Sequence, residues 1–191
     1  MVSKKYKIMK KKEIKKIIGS GVILEPFNLK FVSENYLCWM NDKETTKFIE
    51  KAKNHTSISD LNSFARKMIN SKSDYFFAII LKKNFLHIGN VKLGPVDFEL
   101  MKSNFGILIG HKEYRGRGIG TEVLNLIKKF SFNYLKLKQL KFLSVRDNYA
   151  ATHLYEKTGF TLNNDVNKTM FKDGKLLKLV EWTMNNSSKI K

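Results

Sequence analysis

The chain contains one cysteine, Cys38, so no disulfide can close within it, and a fold that does without disulfides suits a reducing compartment. Two prolines in 191 residues exclude a polyproline or low-complexity chain. No run approaches the roughly 20 apolar residues that cross a bilayer, and the basic start is not followed by the apolar block of a secretory signal. These absences point to the cytoplasm. Acidic residues are also scarce: 17 Asp and Glu against 36 Lys and Arg leave a net charge of +19.

What is present reads as one folded domain, 42% apolar and long enough to bury a core without metal or disulfide. The positive excess raises a nucleic acid or an anionic membrane as partner. It is mostly lysine spread from end to end, however, a uniform bias that reads as a compositional habit. No specific nucleic acid is therefore expected, although an anionic small molecule gains from the field. His55, His87, His111 and His153 share no metal-ligand spacing, so no metal is expected. Cys38, beside Trp39 in an apolar stretch, reads as core.

Residues 1–18 form a lysine-rich extension, in which Ile14, Ile17 and Ile18 suit a short amphipathic helix or a frayed tail. Residues 19–191 are expected to form a single domain. Val22 to Leu24 reads as a strand closed by Pro26, and Asn35 to Met40 and Glu44 to Glu50 as two short helices. Asp60 is placed as the cap of a helix with Leu61, Phe64, Ala65, Met68 and Ile69 on one face. Tyr75 to Leu81 and Leu86 to Leu93 make a hairpin, which Gly94-Pro95 interrupts. Asn104 to Ile109 and Leu140 to Val145 are further strands, with a helix from Thr121 to Leu135 between them. Asp147 or Asn148 caps a helix that Gly159 stops, and a hairpin through Asp173-Gly174 closes the chain. The pattern is α/β with mixed strand directions and helices on both faces.

Between a strand and a helix stands His111 to Glu122, "HKEYRGRGIGTE". Gly116, Gly118 and Gly120 permit backbone angles that gather successive N–H groups into a phosphate-sized nest, at the positive end of the helix dipole. Arg115 and Arg117 add charge. The same residues also serve as a plain Gly-rich helix entry with exposed arginines, and the spacing fits neither the triphosphate loop nor the dinucleotide fingerprint. A second stretch, "RDNYAATHLYEKTGF", follows a strand by two residues and sets the amide of Asn148 and the phenol of Tyr155 about two helical turns apart.

Taken together, these stretches resemble the GNAT superfamily of acetyl-CoA-dependent N-acetyltransferases. Arg115, Gly118 and Gly120 match its Arg-x-x-Gly-x-Gly pattern; Asn148, Ala151, Leu154, Tyr155, Gly159 and Phe160 match its second signature. The resemblance extends more weakly over residues 21–184. It implies a mixed, mostly antiparallel sheet splayed between its fourth and fifth strands, Asn104 to Ile109 and Leu140 to Val145, with acetyl-CoA in the gap. The pyrophosphate would rest on the amides of Arg117, Gly118, Ile119, Gly120 and Thr121; Arg115 and Gly116 also belong to the cofactor-binding loop, and the two arginine side chains would meet the adenosine end. The pantetheine would bond the backbone of Leu108, Ile109 and Gly110 as an added strand would.

Tyr155 resembles the family's general acid toward the departing thiolate, and Asn148 positions the cofactor or a water, or merely caps its helix. Trp39, Asn41 and Asp42 fall where relatives line the acceptor pocket. The amine's base is open among Glu99, Glu113, His111 and a water relay, because the strand position where relatives carry a glutamate is Asn104. Within the superfamily, "HIGNVKLGPVDF" and the flanking stretches look most like transferases acting on nucleotide-linked amino sugars for surface glycans, and like those acting on ribosomal-protein N-termini. The amino sugar leads; a ribosomal N-terminus, a polyamine or an antibiotic are the alternative acceptors, and a homodimer is the candidate assembly. A basic nucleic-acid or membrane-binding module, and a sensor that binds acetyl-CoA without catalysis, are the readings from other classes.

Overall fold

The computed structural model describes residues 14–50, 52 and 55–186. Its strands are β1 (Ile17–Ile18), β2 (Val22–Pro26), β3 (Tyr75–Leu81), β4 (His87–Asp97), β5 (Lys102–Ile109), β6 (Gln139–Val145), β7 (Thr161–Asn163), β8 (Thr169–Lys172) and β9 (Lys175–Asn185). The helices are α1 (Glu34–Asn41), α2 (Lys43–Thr46), α3 (Ile58–Asn70), α4 (Ile119–Lys129) and α5 (Tyr149–Lys157). The strands join in the order β1-β2-β3-β4-β5-β6-β9-β7, with β8 on β9. Among the described residues only β5 and β6 run parallel; every other pairing there is antiparallel. This is the mixed, mostly antiparallel α/β sheet that the resemblance implies.

Strand β3 shows why two helical layers are needed. Tyr75, Phe77 and Ile79 face one core with Val123, Leu124 and Ile127 of α4. Phe76, Ala78 and Ile80 face the other with Tyr36 and Trp39 of α1 and Leu61, Ala65 and Met68 of α3. Six consecutive residues are buried, so the strand reads as an unbroken apolar run instead of an alternation. Each large side chain removed from water contributes roughly 1.5–3 kcal/mol.

Several boundaries differ from expectation for local reasons. Ile17 and Ile18 pair with Leu24 and Ile23, so the end of the basic extension is an edge strand; residues 1–13, with the rest of that expected helix or tail, lie outside the described residues. Ser57 caps α3, and Asp60 closes the capping box by accepting from the Ser57 N–H at 2.9 Å. Helix α2 stops at Thr46, short of Glu50. Gly94-Pro95 does not end β4: the pairing register shifts between Leu93 and Val96 and the strand resumes, with the Val96 N–H donating to Ser73 O at 2.8 Å. Cys38 is exposed, because Tyr36 and Trp39 take the buried face of α1.

Candidate active site

Strands β5 and β6 pair only at Lys102 with Gln139 and Ser103 with Leu140. Beyond that point they diverge, while β4 stays on β5 and β9 stays on β6 along their lengths. The Gly110 N–H donates to Ile88 O at 2.9 Å while Ile109 stands opposite Gly89, which makes Ile109 and Gly89 a non-hydrogen-bonded antiparallel pair. By alternation, Leu108 also bonds toward β4, and the N–H and C=O groups of Ile107 and Ile109 point into the gap. Of the three backbone positions expected to meet the cofactor's arm, Ile109 faces the gap; Leu108 and the Gly110 N–H bond toward β4, and Gly110 O accepts from Arg115. Gly110 has a separate reason to be glycine, since a Cβ there would overlap the Trp39 indole.

The loop that follows β5 turns through Gly116 and Gly118, with φ of +71° and +78°. A Cβ at either would meet open space, so what each glycine supplies is the positive φ and not room for a packed neighbour. Gly118 caps α4 without any side-chain acceptor, leaving the first N–H groups of an 11-residue helix directed outward at its positive end. This donor set suits a diphosphate. Gly120 serves packing instead: a Cβ there would lie 3.3 Å from Leu154 of α5, so the glycine sets how closely the two helices approach.

The two arginines divide their labour. Arg115 turns inward, its Nε donating to Ile109 O at 2.9 Å and its Nη2 to Gly110 O at 3.3 Å and Thr45 Oγ1 at 2.8 Å. It therefore does not reach toward an adenosine; it satisfies carbonyls at the open end of β5, where no neighbouring strand supplies donors. Arg117 is exposed, with its guanidinium 5.7 Å from the Tyr114 ring.

Tyr155 lies where β5 and β6 part. Its ring centroid is 4.7 Å from that of Phe142 on β6 and 5.9 Å from that of Phe105 on β5, with Trp182 at 5.4 Å. Burial pushes its hydroxyl up to about 12, and that hydroxyl has no hydrogen-bond partner among the described residues. Asn148 caps α5, its Oδ1 accepting from the Ala151 N–H at 3.3 Å, so the capping reading is met and the side-chain amide protons stay available.

The expected acceptor residues are occupied with structure. Trp39 is 7% exposed and packs against Tyr36 and His87. The Asn41 amide pairs twice with the Thr56 backbone, at 2.9 and 2.8 Å. Asp42 caps α2 through the Thr45 N–H at 2.9 Å and also accepts from the Thr45 hydroxyl. Those bonds, with Lys112 beside it, hold its carboxyl down at about 2. Among the base candidates, Glu99 sits in the β4–β5 turn, at the paired end of β5 and remote from the gap. Asn104 is exposed on β5. His111 stacks edge-on between Trp39 and Tyr114. Among the described residues no three His, Cys, Asp or Glu side chains group as metal ligands, and no helix is long and apolar enough to cross a membrane.

Sequence reading missed a cavity of about 330 Å³ on the diverged part of β6. Phe48, Glu50, Leu143, Val145, Lys168 and Met170 are among its walls. Phe48 and Glu50 come from the turn after α2, which carries no motif. The one signal available was the alternation in β6, which leaves Leu143 38% exposed on the face opposite Leu140 and Phe142.

The sheet parts between β5 and β6, and the glycine turn and the positive end of α4 stand after β5. Residues 22–161 match the model of the acetyltransferase (GNAT) domain, and the chain belongs to that family. It is an N-acetyltransferase with acetyl-CoA as cosubstrate. Spermidine N(1)-acetyltransferase of Escherichia coli K12 is 23% identical over 145 residues, covering 70% of this chain and 76% of that protein. The spermidine N-acetyltransferase of Vibrio cholerae, solved with CoA and spermine, superposes with a TM-score of 0.77 at 21% identity, over 90% of this chain and 99% of that one. RimL, the ribosomal L7/L12 alpha-N-protein acetyltransferase solved with coenzyme A, gives 0.82 at 13% identity, over 92% and 100%. At such identities the structural likeness establishes the fold.

Proposed function

We propose that the acceptor is the primary amine of a nucleotide-linked amino sugar used in surface-glycan synthesis, and that the chain acts in the cytoplasm. Charge carries this reading. A net +19 concentrates an anionic nucleotide sugar and repels a polycation, so the same field that speeds one acceptor slows the other. The second reading, a polyamine acceptor, is favoured by the activity named for the E. coli and V. cholerae relatives.

In either case the chain's residues divide the work alike. The N–H groups of Ile119, Gly120 and Thr121, with the turn through Gly116 and Gly118, hold the diphosphate. The backbone of Ile107 and Ile109 holds the extended arm by β-augmentation. Acetyl-CoA supplies an activated acyl group and a sulfur leaving group. Tyr155 serves that sulfur as a hydrogen-bond donor. Its hydroxyl at about 12 and a thiol near 8.5 make outright proton transfer uphill by roughly 5 kcal/mol, so water completes the protonation. The Asn148 amide is free to orient that water.

The test is thiol release and product mass with UDP-linked amino sugars, spermidine and ribosomal N-terminal peptides as acceptors. Turnover at least tenfold faster with an amino sugar is the expected result, and preference for spermidine overturns the assignment.

A further inference from the structure

From His111 to Glu122 every residue is at least partly exposed, and Val123 is the first buried one after them. Gly116, Gly118 and Gly120 give the stretch more backbone freedom to lose than side-chain-bearing residues would. Packing does not fix the shape of this turn, so its two ends must. At one end Arg115 is bonded to Ile109 O, Gly110 O and Thr45 Oγ1. At the other stands Glu122, which reaches a part of the chain 101 residues earlier.

Glu122 Oε1 accepts from the Gly21 N–H at 2.8 Å and from the Val22 N–H at 3.2 Å. These donors belong to the turn of residues 19–21 that joins β1 to β2, where the Gly19 N–H donates to Val22 O at 2.8 Å. The carboxylate explains the two glycines. A Cβ on Gly19 would overlap Glu122 Oε1, and one on Gly21 would lie 3.1 Å from Oε2, although neither residue has a positive φ. The end of β3 backs the seat: the Lys82 N–H donates to Gly21 O at 2.9 Å and Lys82 Nζ to Gly19 O at 3.2 Å. Glu122 is therefore fixed to the sheet.

The Glu122 N–H donates to Gly118 O at 3.1 Å and closes the first turn of α4. The three N–H groups before it, of Ile119, Gly120 and Thr121, are those assigned to the diphosphate. A side chain tied to the sheet at this point sets the rotation of the helix about its axis, and with it the direction of those three N–H bonds. It also occupies an anion that, left loose at the positive end of the helix, would compete for the same donors.

We propose that Glu122 is a positioning residue for acetyl-CoA: seated in the turn between β1 and β2, it sets the direction in which the head of α4 presents its donors. The proposal rests on the acetyl-transfer reading with the diphosphate at α4, and is independent of the acceptor. One oxygen takes both bonds, so the role needs an acceptor at the end of a side chain of this length and does not need the charge. Glutamine keeps that acceptor. Aspartate keeps the charge and is one methylene too short to reach.

The experiment measures the KM for acetyl-CoA with the fastest amine of the acceptor panel, the Kd of coenzyme A by calorimetry, and the melting temperature. A hydrogen bond to a charged group is worth roughly 10- to 100-fold in an equilibrium constant, so Glu122→Asp should raise both constants about tenfold with kcat little changed. Glu122→Gln should hold both within threefold of the unaltered chain, a rescue that a need for charge would not give. Gly19→Ala, whose methyl displaces the carboxylate, should reproduce the aspartate result with Glu122 in place. That methyl also comes within 3.0 Å of Val22 O and Leu126 Cδ1, so the control is the Glu122→Asp background, in which it should add less than twofold. A KM for acetyl-CoA within twofold of the unaltered chain in both Glu122→Asp and Gly19→Ala overturns the inference alone, whatever the melting temperatures do. A glutamine variant as weak as the aspartate one overturns it too. An unaltered chain that neither binds coenzyme A nor releases thiol overturns it together with the acetyl-transfer reading.

Discussion

The rings of Phe105 on β5 and Phe142 on β6 lie 4.3 Å apart, two residues beyond the last paired residues of those two strands. They plug the point where the strands part, and Tyr155 rests on both. A wedge of aromatic rings thus takes the place of missing backbone hydrogen bonds and fixes the angle of the gap.

Replacing Tyr155 with Phe keeps that wedge and removes the hydroxyl. The expected kcat is about 10²-fold lower, with coenzyme A affinity unchanged, measured by thiol release and calorimetry. Alkaline stability gives a separate check. Burial raises Tyr155 to about 12 from about 10 in an unfolded chain. Its contribution is therefore complete below pH 10 and is lost as the pH rises through 12, up to roughly 2–3 kcal/mol. Tyr36, also raised to about 12 by burial, behaves in the same way. Urea melts at pH 8 and pH 11 should show a smaller loss in Tyr155→Phe than in the parent.

Gly118→Ala separates strain from contact. No atom crowds the new methyl, so the cost comes from φ +78° alone, about 1–2 kcal/mol. Relaxing that strain shifts the N–H groups of the nest, and the KM for acetyl-CoA should rise about tenfold. A lowered melting temperature with an unchanged KM would mean that the nest does not hold the cofactor.

Arg115 and Arg117 should fail differently. Arg115→Ala strips donors from Ile109 O, Gly110 O and Thr45, and is expected to cost about 2 kcal/mol in thermal or urea unfolding. Arg117→Ala should leave stability unchanged and weaken coenzyme A binding severalfold, an effect that disappears in 0.5 M salt. Equal stability losses in both variants would contradict this division.

Asn148 needs a pair of substitutions. Serine retains the cap on α5, whereas alanine loses about 1 kcal/mol of it. Should the amide orient a water, both variants lose kcat by a similar factor while only alanine lowers the melting temperature. A serine variant with full kcat would leave Asn148 as a cap and nothing more.

Much of this architecture was legible in the chain itself. Apolar spacing and turn residues located the helices and strands, because burial on one or two faces imposes periods that survive in sequence. The glycine pattern pointed to the left-handed turn that opens α4, since such a turn and a helix entry demand particular residue types at fixed spacing. Tertiary structure alone decided which groups were already spent. Arg115 looks like a cofactor ligand in sequence, yet strand-end carbonyls claim it. Asn41 and Asp42 look like pocket residues, yet the Thr56 backbone and the first turn of α2 claim them. The cavity is assembled from Phe48, Leu143 and Lys168, residues far apart in the chain whose meeting depends on how far β5 and β6 diverge, and such a divergence leaves no period or motif to read.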